Sequence, residues 1–182
     1  IGILTLAFQC TASLLQPVVG IVTDKRPMPY SLPVGMASTF CGLVLLASAH
    51  NYGMLVFAAS LVGIGSAIFH PESSRVARLA SGGRYGFAQS VFQVGGNFGT
   101  AIGPLLAAFI IVPRGQGSVA WFCIAAIIGI IVLSRVAAWY KAHMLANAGK
   151  KKQLHAHSLP RRTVVIALVV LVMLTFSKNI YM

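Results

Sequence analysis

Long apolar stretches separated by short polar segments fill almost the whole chain. Six such stretches occur, at residues 1–23, 31–50, 53–69, 87–112, 118–140 and 163–182. An α-helix that rises ~1.5 Å per residue needs ~20 apolar residues to cross ~30 Å of hydrocarbon. Five stretches meet or approach that length, and the third, at about 17 residues, sits at the lower limit. The pattern predicts an all-α integral membrane protein.

The composition agrees with that prediction. Hydrophobic residues make up 57% of the chain and charged residues 9%, whereas a soluble domain usually carries about 25% charged residues. Lys and Arg number 14, against two acidic residues, Asp24 and Glu72. The basic residues do not gather in one segment, as a nucleic-acid-binding face would require. We therefore expect a lipid bilayer, and not nucleic acid, as the partner.

The basic residues mark alternate loops. They follow the first, third and fifth apolar stretches, whereas the other two loops hold one arginine between them, Arg114. Arg135 lies just inside the end of the fifth stretch. Because cytoplasmic loops are enriched in Lys and Arg, this distribution places the first, third and fifth loops in the cytoplasm and Ile1 on the periplasmic side.

This topology implies three parts. Residues 1–140 form an N-terminal transmembrane bundle, 141–162 a basic cytoplasmic linker, and 163–182 the start of a C-terminal bundle. The chain opens inside an apolar stretch without an initiator Met or a charged leading segment. We expect a fragment of a larger transporter, lacking the first helix of its N-terminal bundle and several helices at the other end.

No residue pattern predicts an enzyme, a metal site or a cofactor. The two carboxylates lie far apart in sequence, and no nucleophile is spaced to meet a base. His155 and His157 have no acidic or thiolate partner nearby, which favours a solvated loop over a metal site. The three cysteines occupy three different apolar stretches, which favours packed thiols over a disulfide.

Glycines form a stripe along the fourth apolar stretch. Gly95, Gly99 and Gly103 recur every four residues, and Pro104 follows directly. Small residues at this spacing let two helix backbones approach closely in a membrane. The stripe predicts a packing seam, and Pro104 predicts a kink or a loosened hydrogen-bond ladder.

Polar residues form a second stripe along the same stretch. Gln89, Gln93 and Asn97 also recur every four residues, ~160° around the helix from the glycines. Polar groups inside lipid are costly unless they are satisfied. Interhelical hydrogen bonds and the lining of a water-filled substrate cavity explain this stripe equally well.

Three further charged groups are candidate functional residues. Asp24 precedes Lys25 and Arg26, where it pairs locally, caps another helix or belongs to an ordinary charged loop. Glu72 faces Arg75 if that segment is helical, as an exposed pair worth ~0.2–0.5 kcal/mol. Pro71 either starts a short helix there or ends the preceding one. Both a structural loop and a role in proton coupling or gating remain open for Glu72.

Lys178 is the basic residue deepest within an apolar stretch. It lies ~22 Å along the sixth predicted helix from Thr163, where a charge usually faces protein or water or extends to the interface. Two interpretations remain open: a lysine that snorkels, and a lysine in the substrate cavity that attracts an anionic substrate.

Two short motifs resemble the Major Facilitator Superfamily of transporters. Gly20-x-x-x-Asp24-Lys25-Arg26 resembles its loop between the second and third helices, and Gly99-x-x-x-Gly103-Pro104 resembles the fifth-helix signature of its proton-linked drug antiporters. The resemblance implies a helical bundle with about six of an expected twelve transmembrane helices. It also implies that both motifs act in gating and conformational change.

Longer segments, 69–84 and 89–99, are similar to the fosmidomycin-resistance family within that superfamily. This similarity implies proton-driven efflux of a phosphonate antibiotic across the inner membrane by a monomeric antiporter, with antibiotic resistance as the outcome. Asp24 and Glu72 are then the candidates for proton coupling. A transporter of the same superfamily with another small-molecule substrate, and a channel or scaffold protein, are the alternatives.

Overall fold

The computed structural model describes residues 2–147 and, beyond them, residues 162, 163, 165, 166, 169, 170 and 173. The chain divides into two compact units, Ile1–Asn147 and Ala148–Met182. The first unit contains five long helices: α1 (Gly2–Lys25), α2 (Ser31–Ala47), α3 (Tyr52–Ala80), α4 (Tyr85–Leu106) and α5 (Ala120–Asn147). A π-helical turn (Ala107–Ile111), one turn of α-helix (Val112–Arg114) and a 3₁₀ turn (Gln116–Val119) connect α4 to α5.

Five helical segments in the described part of the chain are long and apolar enough to cross a membrane. The prediction of an all-α membrane protein is therefore confirmed. The predicted sixth helix, together with Lys178 and the linker histidines His155 and His157, falls largely or wholly outside the described residues.

Helix α3 is longer than the sequence predicted. Its apolar part was expected to end at Phe69, with Pro71 at a helix boundary, but Pro71 lies inside a single helix that runs to Ala80. A proline in a helix interior removes a backbone hydrogen bond and costs ~3 kcal/mol or more. Contacts made by Glu72 and Arg75 with α1 and α2 hold the last turns of α3 in place.

Helices α1, α2 and α3 form the packed core, with α3 between the other two. Glycine allows the close approach. A Cβ atom on Gly65 would lie 2.5 Å from the Gly35 carbonyl oxygen of α2, and one on Gly63 would lie 2.8 Å from the Phe8 carbonyl oxygen of α1. Backbones this close leave no room for larger side chains. Helix α5 packs on the other side of α2, with Gly129 against Met36.

Helix α4 differs from the core helices because none of its residues is buried. No heavy atom of the described residues lies within 4 Å of a Cβ placed on Gly95, Gly99 or Gly103. The glycine face of α4, which was predicted to pack closely against another helix, therefore contacts no helix among the described residues. The predicted loosening of the backbone hydrogen-bond ladder does occur after Pro104: a π-helical turn begins three residues later.

The helix ends alternate between two sides of the bundle, as the charge pattern predicted. On one side, Arg75 of α3 contacts Thr23 of α1, and Lys141 of α5 lies over the ring of Tyr30, at 5.8 Å from its centroid. On the other side, the Gln116 amide donates to carbonyl oxygens at the end of α2, at 2.7 Å and 3.0 Å.

Helix α5 continues through Lys141 to Asn147. Residues 141–147, the first residues of the predicted linker, therefore continue this helix. Physically, Ala142, Met144, Leu145 and Ala146 are good helix formers that extend α5 beyond the apolar span. The division of the chain into a bundle, a linker and a second bundle stays a prediction.

Candidate functional site: a buried ion cluster where three helices meet

Glu72 is the centre of the candidate site. Glu72 is 0% exposed, and its side chain is one of the largest that are fully buried among the described residues. The Ser31 hydroxyl donates a hydrogen bond of 3.0 Å to Glu72 Oε2. Because Ser31 is the first residue of α2, the carboxylate lies beside the positive end of that helix, which favours a negative charge.

Arg75 lies one turn further along α3. Its Nη1 donates a 2.6 Å hydrogen bond to the carbonyl oxygen of Thr23, which is one of the last four carbonyls of α1 and so lacks a partner within that helix. Its Nη2 donates to Asp24 Oδ1. A cation at the carboxyl end of a helix is also favoured by the helix dipole, so Arg75 acts as the C-terminal cap of α1.

Arg75 and Glu72 form an ion pair inside the same cluster. Nη1 of Arg75 lies 3.0 Å from Oε1 of Glu72. The contact is electrostatic, because Oε1 accepts no hydrogen bond with acceptable geometry from any described residue. Glu72 therefore keeps one buried oxygen whose hydrogen-bonding capacity is unused.

The two carboxylates that share Arg75 lie in different environments. The Asp24 side chain is 77% exposed, whereas that of Glu72 is 1% exposed and that of Arg75 is 19% exposed. Exposed ion pairs contribute ~0–1 kcal/mol because water screens them. Loss of one partner from a buried pair costs ~3–5 kcal/mol. Most of the energetic weight of the cluster therefore lies on the Glu72–Arg75 pair.

The cluster joins three helices at one end of the bundle. Arg75 caps the end of α1, and Glu72 binds the start of α2, so α3 fixes both ends of the short connection between α1 and α2. The arrangement can act as a latch with a protonatable group inside it. It carries no constellation for bond-breaking chemistry, and no group of three metal-ligating side chains occurs among residues 2–147.

Two sequence interpretations need correction here. The Glu72–Arg75 pair was expected to be exposed and weak, but it is buried because α1 and α2 cover this turn of α3. Asp24 was expected to pair locally, to cap another helix or to belong to an ordinary charged loop, yet its partner Arg75 lies 51 positions further along the chain. Sequence reasoning did not single out Thr23 or Ser31, because their contacts exist only once the helices pack.

Lys25 and Arg26, which the Asp24 motif also predicts to act in gating, are exposed and form no ion pair with any described residue. Lys25 is the last residue of α1, and the Arg26 amide donates to the Val22 carbonyl oxygen. They continue the positive charge at this end of the bundle without entering the cluster.

Of the polar stripe on α4, Gln89 alone forms a hydrogen bond with another side chain of the described residues. Its Oε1 accepts a 2.9 Å hydrogen bond from Ser74 of α3. It borders a cleft of about 390 Å³ lined by Ser74, Arg78, Tyr85, Gly86 and Gln89. Gln93 and Asn97 lie on the exposed surface of α4. Their predicted place in a substrate cavity stays a prediction.

Comparison with known proteins decides the family. The model of the Major Facilitator Superfamily matches residues 1–182. The chain belongs to the Major Facilitator Superfamily. The resemblance drawn from the Asp24 and Gly99 motifs is confirmed, and the prediction of a transporter rather than an enzyme agrees with this membership.

Two relatives narrow the comparison within the superfamily. The chain is 59% identical over 182 residues to the fosmidomycin resistance protein of Escherichia coli (strain K12), covering 100% of this chain and 45% of that protein. It is 41% identical over 173 residues to an uncharacterized MFS-type transporter, YfnC, of Bacillus subtilis (strain 168), covering 93% of this chain and 42% of that protein. The chain thus spans less than half the length of either relative. No solved structure matches it.

Proposed function

We propose that the protein of which this chain is a part exports a small molecule across the bacterial inner membrane by alternating access, in exchange for protons. Its proposed substrate is a phosphonate antibiotic of the fosmidomycin type. Support comes from membership of the superfamily and from the identity to a relative named for fosmidomycin resistance. In the proposed orientation, the ion cluster faces the cytoplasm and α1 starts on the periplasmic side.

One observation carries the proposal: Arg75 forms ion pairs with both a buried carboxylate, Glu72, and an exposed one, Asp24. Alternating access requires a contact that holds one end of a helix bundle in one state and releases it in the other. The cluster of Asp24, Glu72 and Arg75 ties three helices at a single end and supplies such a contact. In this proposal Asp24, with Lys25 and Arg26 beside it, forms the outer part of the gate.

Glu72 is the proposed proton site. It is buried, and its Oε1 accepts no hydrogen bond from the described residues, so a proton can be placed on that oxygen without displacing an existing donor. The added proton neutralises the carboxylate and removes its attraction for Arg75. Arg75 then keeps Thr23 and Asp24 as partners. The hydrogen bond that Ser31 of α2 donates to Glu72 Oε2 loses its charge assistance, so the restraint between α2 and α3 weakens. Asp24, which is exposed to water, is the second candidate.

Helix α4 supplies the remaining parts of the proposal. Gly99, Gly103 and Pro104 are proposed to act in conformational change, because the helix turns π-helical just beyond them. Gln89, Gln93 and Asn97 are proposed to line the substrate path together with Lys178, which lies outside the described residues. A lysine there would attract the negative charge of a phosphonate.

Antibiotic tolerance tests the export function directly. Sensitive bacteria that express the full-length protein should grow at higher fosmidomycin concentrations than the empty-vector control, and a protonophore should abolish the difference. Unchanged tolerance in cells with verified membrane expression would exclude fosmidomycin as the substrate.

The proton site is tested separately, by uptake of labelled fosmidomycin into inverted vesicles with an imposed pH gradient. Glu72→Gln should abolish gradient-driven uptake, while Asp24→Asn should lower its rate and leave the gradient dependence intact. Arg84→Gln is the matched control, because Arg84 is an exposed arginine outside the cluster. Gradient-driven uptake by Glu72→Gln at the parent rate would exclude Glu72 as the proton site.

A further inference from the structure

One face of α5 is bulky, apolar and exposed along nearly its whole length. Its members are 44% to 62% exposed: Trp121, Ile124, Ile128, Ile131, Val132 and Trp139. The opposite face carries small residues, among them Ala126 and Ala137, which are buried in the bundle. Small residues pack between membrane helices, while large aliphatic ones suit lipid tails. The bulky face therefore suits contact with lipid.

The two tryptophans give this face its membrane register. Trp121 and Trp139 are separated by 18 residues, which is ~27 Å and five complete turns of helix. They consequently point the same way from opposite ends of α5. Tryptophan is enriched at both membrane interfaces, and this spacing matches a hydrocarbon core of ~30 Å. Trp139 marks the interface at the end that carries the ion cluster, since Lys141 lies over Tyr30 there.

Arg135 lies on the same lipid-facing side. It is ~180° around the helix from buried Ala126 and ~40° from Trp139, and it is exposed. It sits ~6 Å deeper than Trp139, on the hydrocarbon side of the interface. A guanidinium at that depth extends toward the headgroups to reach polar partners.

No carboxylate of this chain neutralises Arg135. Both acidic residues, Asp24 and Glu72, pair with Arg75, and Arg135 makes no hydrogen bond or ion pair within the described residues. Its position among exposed apolar side chains directs it to the bilayer, where the available anions are lipid phosphates.

We propose that Arg135, Trp139 and His143 form a binding site for the headgroup of an anionic phospholipid. The three residues recur every four positions along one stripe of α5. The guanidinium donates two parallel hydrogen bonds to the phosphodiester, and the glycerol and upper acyl region pack on Trp139. His143 stacks on the Trp139 ring, with centroids 5.3 Å apart and planes 20° from parallel, and so holds the indole in place.

Lipid binding to the purified full-length protein tests this site. Native mass spectrometry in detergent would compare phosphatidylglycerol with phosphatidylcholine of the same acyl chains. Arg135→Gln should lower the affinity for phosphatidylglycerol about fivefold, the effect of removing one basic residue from an anionic surface, without changing that for phosphatidylcholine. Arg135→Lys should lie between the parent and Arg135→Gln. Arg84→Gln, the matched control at the same end of the bundle, should bind both lipids as the parent does.

Four results would overturn the proposal. The first is equal phosphatidylglycerol binding by the parent and Arg135→Gln. The second is an equal loss in Arg84→Gln, which would indicate diffuse attraction to basic residues. The third is a parent protein that does not prefer phosphatidylglycerol to phosphatidylcholine, a measurement that needs no variant to fold. Inorganic phosphate at matched concentration should not displace the lipid, and displacement would show a site for free phosphate instead.

Discussion

Helices α3 and α4 both carry glycines, but these glycines have different neighbours. Gly63 and Gly65 of α3 lie against backbone carbonyls of α1 and α2. Gly95 and Gly99 of α4 have no atom of the described residues within 4 Å of an added Cβ. The regular spacing is on α4, yet the close packing is on α3. Glycine spacing thus shows where a helix can be approached, and the neighbouring helices determine whether it is.

The polar residues of the two helices differ in the same way. Glu72 and Arg75 of α3 are covered by α1 and α2 and bind groups on both. Gln93 and Asn97 of α4 lie exposed on a helix that has no buried residue. Large energetic effects are therefore expected on α3 and small ones on α4, which variants of the full-length protein can test.

The largest expected effect is the loss of Arg75. Arg75→Ala leaves the buried carboxylate of Glu72 without its ion-pair partner, which costs ~3–5 kcal/mol. Chemical denaturation in detergent micelles, followed by circular dichroism, measures the free energy of unfolding. Arg84→Ala, at the start of α4, is the control and should change it by less than ~0.5 kcal/mol. Similar losses in the free energy of unfolding for the two variants would show that Arg75 is no more important to stability than an exposed arginine.

The second largest effect is a difference in stability cost between the two carboxylates of the cluster, Glu72 and Asp24. Glu72→Gln removes the charge from the buried pair and weakens a charge-assisted hydrogen bond, at a cost of ~1.5–3 kcal/mol. Asp24→Asn removes a charge that is mostly exposed and should cost ~0–1 kcal/mol. The same denaturation measurement gives both values. A larger loss of stability for Asp24→Asn than for Glu72→Gln would show that the exposed Asp24–Arg75 pair contributes more than the buried Glu72–Arg75 pair.

A methyl group on the core seam should also destabilise the protein. Gly65→Ala forces the α2 and α3 backbones apart, since the added carbon would lie 2.5 Å from the Gly35 carbonyl oxygen, and such overpacking costs ~1–3 kcal/mol. Gly99→Ala meets nothing in the described residues and should gain ~0.5–1 kcal/mol from helix propensity. Thermal melting compares them. A strong loss for Gly99→Ala would locate the partner of α4 elsewhere in the full-length protein.

The smallest effect lies at the far end of the bundle. Gln116→Ala removes the amide that binds the Leu46 and Ala49 carbonyl oxygens at the end of α2. Because both hydrogen bonds are exposed to water, their loss together should cost only ~0.5–1.5 kcal/mol. Gln93→Ala, on the exposed side of α4, should be neutral. Hydrogen exchange at the last turn of α2 reports the change locally. Unchanged exchange in Gln116→Ala would show that water replaces the amide.

Much of the fold was predictable from local patterns. The lengths of the apolar stretches predicted the spanning helices, and the basic residues between them predicted which loops share a side of the bundle. Motifs around Asp24 and Gly99 predicted the family. Each of these inferences depends on residues near one another in the chain, because transfer into lipid is governed by one helical segment at a time.

The candidate site depended on packing between segments. The sequence singled out Asp24, Glu72 and Arg75, but it placed the carboxylates in separate loops. Their contact at Arg75 requires α1 and α3 to pack with one register, over a separation of 51 residues. The same packing buries Glu72 and carries α3 past Pro71. Hydrophobicity is a property of each segment, whereas the partner of a buried charge is chosen by the helices that enclose it.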